Sequence, residues 1–506
     1  MRYFAVVIIF VCGALAGCPV GYSEMLPQSQ SIAEAIKLRN EYAVSSDGTL
    51  WRAFVNRTGY ERWQKSSMPS GMVADSGHGY ASILQSVNGS LLNPAIPRRT
   101  LRDTNKKLWG QRIDTTGNMA FQAYSSMLTF VMPLTRDLKY YKKDGTAGNG
   151  TFSRSSAAWY QDASGLWTQA AVNMPRFGFY NSGTDTIPVW TKGGLLSEGN
   201  TTNLLLYSEQ MDNSVWCKIN AAVMNNRASA PAFGLATTAD RIKPKLGGAV
   251  FQKYSSASPL TQGYYNFSLM AICHVPALKA ALSIRKGNGA FANMTATFNQ
   301  AAYRRASVMK NFTGTFRSIE ARITFTHATS LMTVWGAQLE NNQSPTSYIP
   351  TAGATATRTA DSLTVPAAGN MDDAAGSLLL THRPQLIGIG PTSTYSNLLR
   401  WSSAVMSRAL SSSSITANDG TIQVGAPITG GWSARDYRLA LTWGGGNMKI
   451  YDLNDNTSSS SLYDGSWNGA ASISVGSYSG TNSCNGFIRD LRIWTTKLLD
   501  SEVNAL

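Results

Sequence analysis

Aromatic and carboxylate side chains near the carboxyl end of the chain stand in loops where they could bind a ligand. Trp432 follows two glycines, and Tyr463, Asp464 and Trp467 lie in a second loop that is rich in Gly and Ser. Indole and phenol rings stack on the apolar faces of sugar rings, and carboxylates accept hydrogen bonds from sugar hydroxyls. We therefore predict that these four residues form the rim of a carbohydrate site. The alternative is that the rings close the ends of a β-sandwich.

Three oxygen-bearing residues form a group that suits a calcium ion. Asp452, Asn454 and Asp455 follow one another closely, and Ca²⁺ binds carboxylate and amide oxygens. We predict calcium as the one candidate cofactor, and an ordinary solvated turn is the alternative. The four histidines are widely separated and there is no CxxC pair, so neither a His-cluster site nor a zinc site is expected.

The carboxylates of the central region do not suggest hydrolysis. Glycoside hydrolysis needs two carboxyl groups at a set separation. The acids between residues 201 and 365 are Glu209, Asp212, Asp240, Glu320, Glu340 and Asp361. For these acids, the capping of turns and pairing with Arg are the simpler interpretation. Since the sequence also has no nucleophile elbow with a supporting His and no phosphate-binding loop, we predict that the protein is not an enzyme. A polysaccharide-degrading enzyme is the alternative.

The first 23 residues have the pattern of an export segment. Arg2 provides a positive start, and the apolar run from Ala5 to Ala16 is too short to cross a bilayer comfortably. The string from Leu15 to Cys18 matches the bacterial lipobox, in which the cysteine is lipidated. We expect export, with Cys18 as the candidate lipidation site. Cleavage a few residues later, with Cys18 incidental, is the alternative.

Charge is unevenly distributed along the 506 residues. The net charge is +15 and only 14 % of residues are charged. Residues 1–200 carry +7, residues 201–365 carry +9 and residues 366–506 carry −1. The excess suits an anionic envelope or a neighbouring structural protein. Because the basic residues are scattered and accompany no nucleic-acid motif, we do not expect a nucleic-acid partner.

Short strands separated by turns dominate the chain after about residue 110. Apolar and polar residues alternate over 265–269, 321–325 and 332–335, which is the strand period. Residues 439–452 have the pattern of a hairpin. These signals predict a mainly β protein built from tandem sandwich or jelly-roll modules. A helix is predicted only near 31–45, and residues 46–110 are expected to be irregular.

The cysteines that follow the export segment do not form a disulfide framework. They are Cys217, Cys273 and Cys484, an odd and widely spaced set. Cys217 and Cys273 lie in one predicted module and could pair.

Ordered sequence strings in residues 150–365 resemble a module found in tail and other structural proteins of tailed bacteriophages and prophages. The first strings are TFSRSSA (151–157), DASG (162–165), PRF (175–177), GLLSE (194–198), TNLLLYSEQ (202–210) and DNSVW (212–216). The closing strings are WGAQLE (335–340), PTSYIPT (345–351) and TRTAD (357–361). The resemblance implies a jelly roll similar to carbohydrate-binding modules. Ser197 and Thr359 depart from the usual pattern of that family, and neither change is expected to disturb the fold.

The end of the chain resembles the closing strand and short helical turn of laminin-G-like and concanavalin-like lectins. The strings are GFIRDLRIW (486–494) and LLDSEV (498–503). Ile488, Leu491 and Ile493 do not keep one strand period, so a β-bulge between 488 and 491 is predicted to turn all three inward.

Together these observations predict an export segment (1–23), an N-terminal region of uncertain fold (24–149), a β-rich segment (150–200), a jelly roll (201–365) and a lectin-like sandwich (366–506). The favoured function is that of a non-enzymatic tail fibre or receptor-binding component that binds cell-surface carbohydrate. An exported lipoprotein with lectin-like modules is the alternative. We expect other virion or envelope proteins as partners, assembly as a homo-oligomer, and location in the virion or the bacterial envelope.

Overall fold

The computed structural model describes strands between residues 42 and 123 and, after them, residues 128–142, 147–184, 188–232, 238–274, 278–298, 303–325, 331–385, 395–401, 404–409, 413–465, 471–477, 483–504 and 506. These residues divide into two compact units, the second of which comprises residues 129–141 and 147–497. Nearly every described element is a β-strand, which confirms the predicted fold class. Within the described residues, no helix combines the length and the hydropathy that a membrane span requires.

The first unit contains two small antiparallel sheets, one of three strands and one of four. The strands are β1 (Tyr42–Val44), β2 (Leu50–Val55), β3 (Glu61–Ser66), β4 (Met72–Ala74), β5 (Thr100–Asp103), β6 (Leu108–Ile113) and β7 (Met119–Ala123). The short helix α1 (Asp500–Asn504) also belongs to this unit. Where residues 46–110 are described, they form the strands β2 to β6 and not the irregular structure expected there.

The predicted helix near 31–45 is wrong at its carboxyl end. Residues Tyr42–Val44 are a strand that pairs with β2. Tyr and Val favour strands over helices, and the capping and apolar spacing that predicted a helix here did not outweigh this preference. Residues 31–41 and 45 lie outside the described part of the chain, as do the export segment and Cys18.

The second unit begins with strands that precede the jelly roll. They are β8 (Leu128–Met132), β9 (Lys139–Lys142), β10 (Ala147–Asn149), β11 (Thr151–Ser153), β12 (Ala158–Gln161), β13 (Trp167–Ala170), β14 (Phe177–Asn181), β15 (Trp190–Ser197) and β16 (Thr201–Asn203). β12 and β13 form a hairpin.

The jelly roll follows, with strands of which all but the last form one eight-stranded sheet around a buried apolar core. They are β17 (Cys217–Ala228), β18 (Ala239–Leu260), β19 (Gly263–Cys273), β20 (Leu278–Lys286), β21 (Ala292–Phe298), β22 (Arg304–Phe312), β23 (Phe316–Phe325), β24 (Met332–Glu340) and β25 (Ala356–Arg358). The 22-residue β18 pairs with β24 through its first part and with β23 through its second, so it joins the two halves of one sheet with the order β21-β20-β23-β18-β24-β19-β22. All three predicted alternating runs are strands here.

The last strands of the second unit are β26 (Ser362–Pro366), β27 (Ala375–Pro384), β28 (Tyr395–Trp401), β29 (Ala404–Ala409), β30 (Ser414–Asn418), β31 (Gln423–Pro427), β32 (Tyr437–Gly444), β33 (Asn447–Asp452), β34 (Thr457–Leu462), β35 (Ser472–Val475) and β36 (Gly486–Trp494). The predicted hairpin over 439–452 is β32–β33. The predicted bulge is also confirmed: the register of β27 against β36 shifts at Asp490, and Ile488, Leu491 and Ile493 are all buried.

The C-terminal sandwich uses strands from both sides of the jelly roll. One sheet has the order β10-β9-β8-β36-β27-β32-β33-β34, with β15 attached to β36, and the other has the order β11-β26-β35-β28-β29-β30-β31. The expected boundary at residue 366 therefore does not separate the sheets, because residues 128–197 supply edge strands. The jelly roll is inserted into the sandwich, and β16 pairs with β25 where the chain enters and leaves it.

The sandwich and the jelly roll each have a buried apolar core. Trp335 and Trp494 are buried, as their strand patterns predict. Cys217 and Cys273 do not pair: Cys217 is exposed, while Cys273 is buried and donates to the Phe298 carbonyl at 2.9 Å. That correction follows from the alternating strand faces, which point one side chain to solvent and the other to the core.

Candidate functional site

A buried network of charges lies at the neck where the jelly roll is inserted. Arg154 donates to Asp361 at 2.9 Å, and Arg176 donates both to the other oxygen of Asp361 and to Glu198 at 2.7 Å. Arg358 approaches Glu198 at 3.7 Å. These side chains are at most 2 % exposed. The strings TFSRSSA, PRF, GLLSE and TRTAD therefore supply the members of one network.

The network favours the charged forms of Glu198 and Arg176. Burial alone would raise the pKa of Glu198, but Arg358, Arg176 and hydrogen bonds from Ser347 outweigh burial and lower this pKa to about 2. Burial also opposes the charge of Arg176, yet Asp361 and Glu198 outweigh it and raise the pKa of the guanidinium. For Asp361, this confirms the interpretation that the acid of the closing string pairs with Arg.

Two other acids of the jelly roll, Glu340 and Asp240, also have structural partners. Glu340 accepts hydrogen bonds from the backbone and hydroxyl of Thr346, and Asp240 accepts from backbone N–H groups of Asp212 and Asn226. Burial raises the pKa of both Glu340 and Asp240.

Two of these carboxylates fix a loop that faces an open pocket. Glu198 accepts hydrogen bonds from the Ser347 backbone at 2.8 Å and from its hydroxyl at 2.6 Å. Glu340 holds the neighbouring Thr346. Thr346 and Ser347 both line the pocket, so the buried charges position polar groups at a ligand-sized space.

The pocket has a volume of about 300 Å³, at the lower end of the range for small-molecule sites. We call it the aromatic pocket. Its lining residues are Gln161, Gly165, Trp167, Trp190, Pro231, Met270, Tyr303, Arg305, Pro345, Thr346, Ser347 and Gln385.

The turn between β12 and β13 shapes one wall of the aromatic pocket. Asp162 accepts hydrogen bonds from the backbone N–H groups of Ser164 at 2.8 Å and Leu166 at 3.0 Å, which closes the turn. Gly165 follows with a φ of +77° and lies against the indole of Trp190, where a Cβ atom would overlap the ring. The DASG string thus creates the space for this tryptophan.

Trp167 and Tyr303 provide two further rings. The Trp167 indole N–H points to the sulfur of Met270 at 2.8 Å, which fixes the ring against the outer side of β19. The Tyr303 hydroxyl donates to the Ser229 carbonyl at 2.7 Å. Both rings are therefore oriented by their polar ends, and such preorganisation favours ligand binding.

The remaining polar lining residues can exchange hydrogen bonds with a ligand. Gln161 and Gln385 carry amides for this purpose, whereas the hydroxyls of Thr346 and Ser347 are buried and already donate to Glu340 and Glu198. The described residues lining the pocket include no Asp, Glu, His or Cys. This lining can bind a polar ring, but it offers no carboxylate pair for general acid–base chemistry.

The residues predicted as a carbohydrate rim are placed differently. Trp432 is 7 % exposed and Tyr463 is 4 % exposed, and both belong to the sandwich core. The Trp432 indole donates to the Ala409 carbonyl at 3.1 Å, and the Tyr463 hydroxyl donates to the Asp373 carbonyl. The expectation of an exposed rim is corrected for these two, because their polar ends find partners inside the sandwich while their rings fill it.

Asp464, another of the predicted rim residues, does not line the aromatic pocket. Asp464 is exposed and lies 3.4 Å from the Thr421 hydroxyl. Trp467 lies outside the described residues.

The candidate calcium ligands form the turn between β33 and β34. Asp452 is buried and accepts the Asn454 backbone N–H at 2.9 Å, and burial raises its pKa to about 6. Asp455 pairs with the guanidinium of Arg435, which lowers the pKa of that carboxyl. Across the described residues, no group of three or more His, Cys, Asp or Glu side chains is arranged to hold a metal ion. Internal contacts of this kind stabilise the turn by themselves.

Sequence reasoning missed the aromatic pocket, although part of its lining lies in strings that had been singled out. Gly165 belongs to DASG, and Thr346 and Ser347 belong to PTSYIPT. The available signal was a Trp directly after an Asx-type turn, at Trp167. That Trp190, Tyr303 and Arg305 face the same space depends on tertiary packing, which local patterns do not contain.

No protein-family model matches the chain, and no curated protein matches it. Solved structures are similar to parts of it at low identity. TmCBM61 in complex with beta-1,4-galactotriose is 14 % identical with a TM-score of 0.22, over 27 % of this chain and 97 % of that chain. The enzymatically active domain of bacteriophage CBA120 tailspike protein 4 is 12 % identical with a TM-score of 0.22, over 27 % of this chain and 21 % of that chain.

Domains LG4-5 of the mouse laminin alpha1 chain are 12 % identical with a TM-score of 0.19, over 49 % of this chain and 86 % of that chain. At this level of similarity, function has to be inferred from the residues of the chain itself.

Proposed function

We propose that the chain is a non-catalytic adhesion protein of the phage-tail type, which binds cell-surface carbohydrate through the aromatic pocket. The observation that carries the proposal is the lining of that pocket. Trp190 and Tyr303 are partly exposed and offer ring surface, Trp167, at 6 % exposure, lies behind them, and the amides of Gln161 and Gln385 stand beside the rings. Sugars need this combination, because a pyranose ring has apolar C–H faces and a rim of hydroxyls.

The tail-type context of the proposal is supported by the ordered strings of residues 150–361. These strings supply the buried network at the neck and the turn that seats Trp190. The segments that resemble tail proteins therefore contribute part of the pocket lining, namely Gly165, Pro345, Thr346 and Ser347. The small volume of the pocket suits a short saccharide or the end of a longer chain.

The non-catalytic part of the proposal is supported by the chemistry of the described lining residues. Glycoside hydrolysis requires a general acid and a second carboxylate, and the nearby Glu198 and Glu340 are committed to Arg176, Ser347 and Thr346. A test for new reducing ends, with capsule or lipopolysaccharide as substrate, separates binding from depolymerisation. Release of reducing ends that persists after further purification would contradict this part of the proposal.

A glycan array probed with the labelled full chain tests carbohydrate binding. We expect binding to a restricted set of glycans, and at least tenfold weaker binding by the Trp190→Ala variant. Val189→Ala is the matched control, since Val189 is the preceding residue, is 48 % exposed and does not line the pocket. Equal binding by Trp190→Ala and the native chain would overturn the assignment to this pocket.

We propose location in the virion, with an exported envelope lipoprotein as the alternative that the LAGC string at residues 15–18 favours. Mass spectrometry of the amino terminus of the native protein distinguishes the two. A lipidated Cys18 would establish the alternative, and an unprocessed Met1 would exclude it.

A further inference from the structure

Arg305 is distinguished from its neighbours by its place in the aromatic pocket. It lies at the start of β22, and among the twelve described residues that line the pocket it alone carries a charge. Its guanidinium carbon lies 5.6 Å from the centre of a Trp167 ring. A cation and an aromatic face are therefore presented to the same small space.

The guanidinium of Arg305 retains donors for a ligand. Nη1 donates to the Thr346 carbonyl and Nη2 donates to the Ser268 hydroxyl at 3.1 Å. Nε is buried and has no hydrogen-bond partner among the described residues, so the donors left for a ligand are the second N–H groups of Nη1 and Nη2. Since a guanidinium has five N–H donors in a planar fork, two neutral acceptors leave most of this capacity unused.

Within the described part of the chain, no carboxylate forms an ion pair with Arg305. Glu340 and Glu198 are close enough to favour its charge, but burial has the larger effect and lowers its pKa. Both carboxylates accept hydrogen bonds from other groups, as described above. Arg154 and Arg176, by contrast, have direct carboxylate partners at the neck. Arg305 is therefore partly desolvated without the direct carboxylate partner that Arg154 and Arg176 have.

We propose that Arg305 binds the carboxylate of an acidic sugar, so that the glycan recognised by the aromatic pocket contains a carboxylated unit such as a uronic acid. This inference rests on the proposed function. Arg and carboxylate form short, charge-assisted and often bidentate hydrogen bonds. The sugar ring would stack on an aromatic wall while its carboxylate pairs with Arg305, so the charge and the ring select the ligand together.

The test uses the full chain on an array that carries neutral, carboxylated and sulfated glycans, followed by titration of each hit. As a defined pair, trigalacturonate and its methyl ester have the same rings and differ in charge. We expect the hits to carry carboxylates, and the methyl ester of any uronate hit to bind at least tenfold more weakly than the acid. Binding of neutral glycans that Trp190→Ala abolishes would overturn the acidic-sugar inference and leave the proposed function intact. Binding to sulfated glycans alone would also overturn it, and an absence of hits would contradict both.

Variants at two adjacent arginines make the test specific to the pocket. Arg305→Gln should weaken binding to the carboxylated hit at least tenfold relative to the native chain. Arg305→Lys should bind that hit more tightly than Arg305→Gln does, because the positive charge is kept. Arg304→Gln is the matched control, since it removes one positive charge from the same strand at a residue that does not line the pocket. Equal losses in Arg304→Gln and Arg305→Gln would show a general charge effect and refute the proposal. Circular dichroism of each variant checks that the fold is retained.

Discussion

Arg176 donates to Glu198 at 2.7 Å in an ion pair that is at most 1 % exposed. The pair joins the PRF string to the last residue of the GLLSE string, immediately before the chain enters the jelly roll. Asp361, on the chain leaving the jelly roll, binds the same guanidinium. A single arginine thus connects the segment before the insertion with the residue that follows it.

Glu198→Gln should destabilise the second unit by about 3–5 kcal/mol, because it leaves Arg176 and Arg358 buried with too little negative charge. Urea unfolding followed by far-ultraviolet circular dichroism measures the loss. Asp137→Asn is the matched control: the Arg136–Asp137 pair is 46 % and 40 % exposed, and such pairs contribute about 1 kcal/mol or less. Comparable destabilisation by both changes would contradict the structural importance assigned to the neck.

Stability at low pH should depend on Glu198. Its folded pKa of about 2 is below the unfolded value of about 4.3, so its contribution is fully present above about pH 4.3. The contribution is lost as the pH falls through about 2. Unfolding midpoints measured from pH 7 to pH 2 should therefore fall more steeply for the native chain than for Glu198→Gln. Parallel profiles would show that protonation of this carboxyl does not contribute.

Gly165→Ala should both destabilise the β12–β13 hairpin and reduce binding at the aromatic pocket. The new Cβ meets the Trp190 ring and also suffers from the positive φ. Gly247→Ala separates the two effects, because Gly247 has a φ of +71° with no atom within 4 Å of the added Cβ. We expect both variants to lose about 1 kcal/mol through φ strain, and only Gly165→Ala to lose glycan affinity in titration. Retained affinity in Gly165→Ala would exclude the contact with Trp190 as a determinant of the pocket.

Trp432→Ala and Trp190→Ala should have opposite consequences. Trp432 fills the sandwich core, so its truncation should cost about 3–5 kcal/mol in the free energy of unfolding without changing the affinity of the folded protein. Trp190→Ala should reduce affinity about tenfold, or about 1.4 kcal/mol, with a smaller effect on stability. Denaturation and glycan titration of both variants measure this contrast. If the folded Trp432→Ala variant lost glycan affinity, Trp432 would have to be a ligand-binding residue after all.

Local patterns were sufficient to predict much of the fold. The alternation at residues 321–325 predicted a strand, and the broken period at Ile488, Leu491 and Ile493 predicted a bulge, since both depend on which face of a strand is buried. The candidate site was not predictable in this way. Loop position suggested that Trp432 is exposed, but the exposure of a loop residue depends on what packs over it. Such packing comes from contacts between distant parts of the chain, as in the pairing of Leu196 with Phe487.

The insertion of the jelly roll also has a consequence for the order of folding. Thr151 pairs with Thr364 across the whole inserted module, and closing so long a loop in a disordered chain is entropically unfavourable. Once β16 and β25 are paired, the two ends of the insertion are adjacent, and most of this closure has already been achieved. We therefore expect the jelly roll to fold first and the strands of the sandwich to pair afterwards, starting at the neck. Because the sandwich pairs strands that are distant in sequence, its folding should be the slower step.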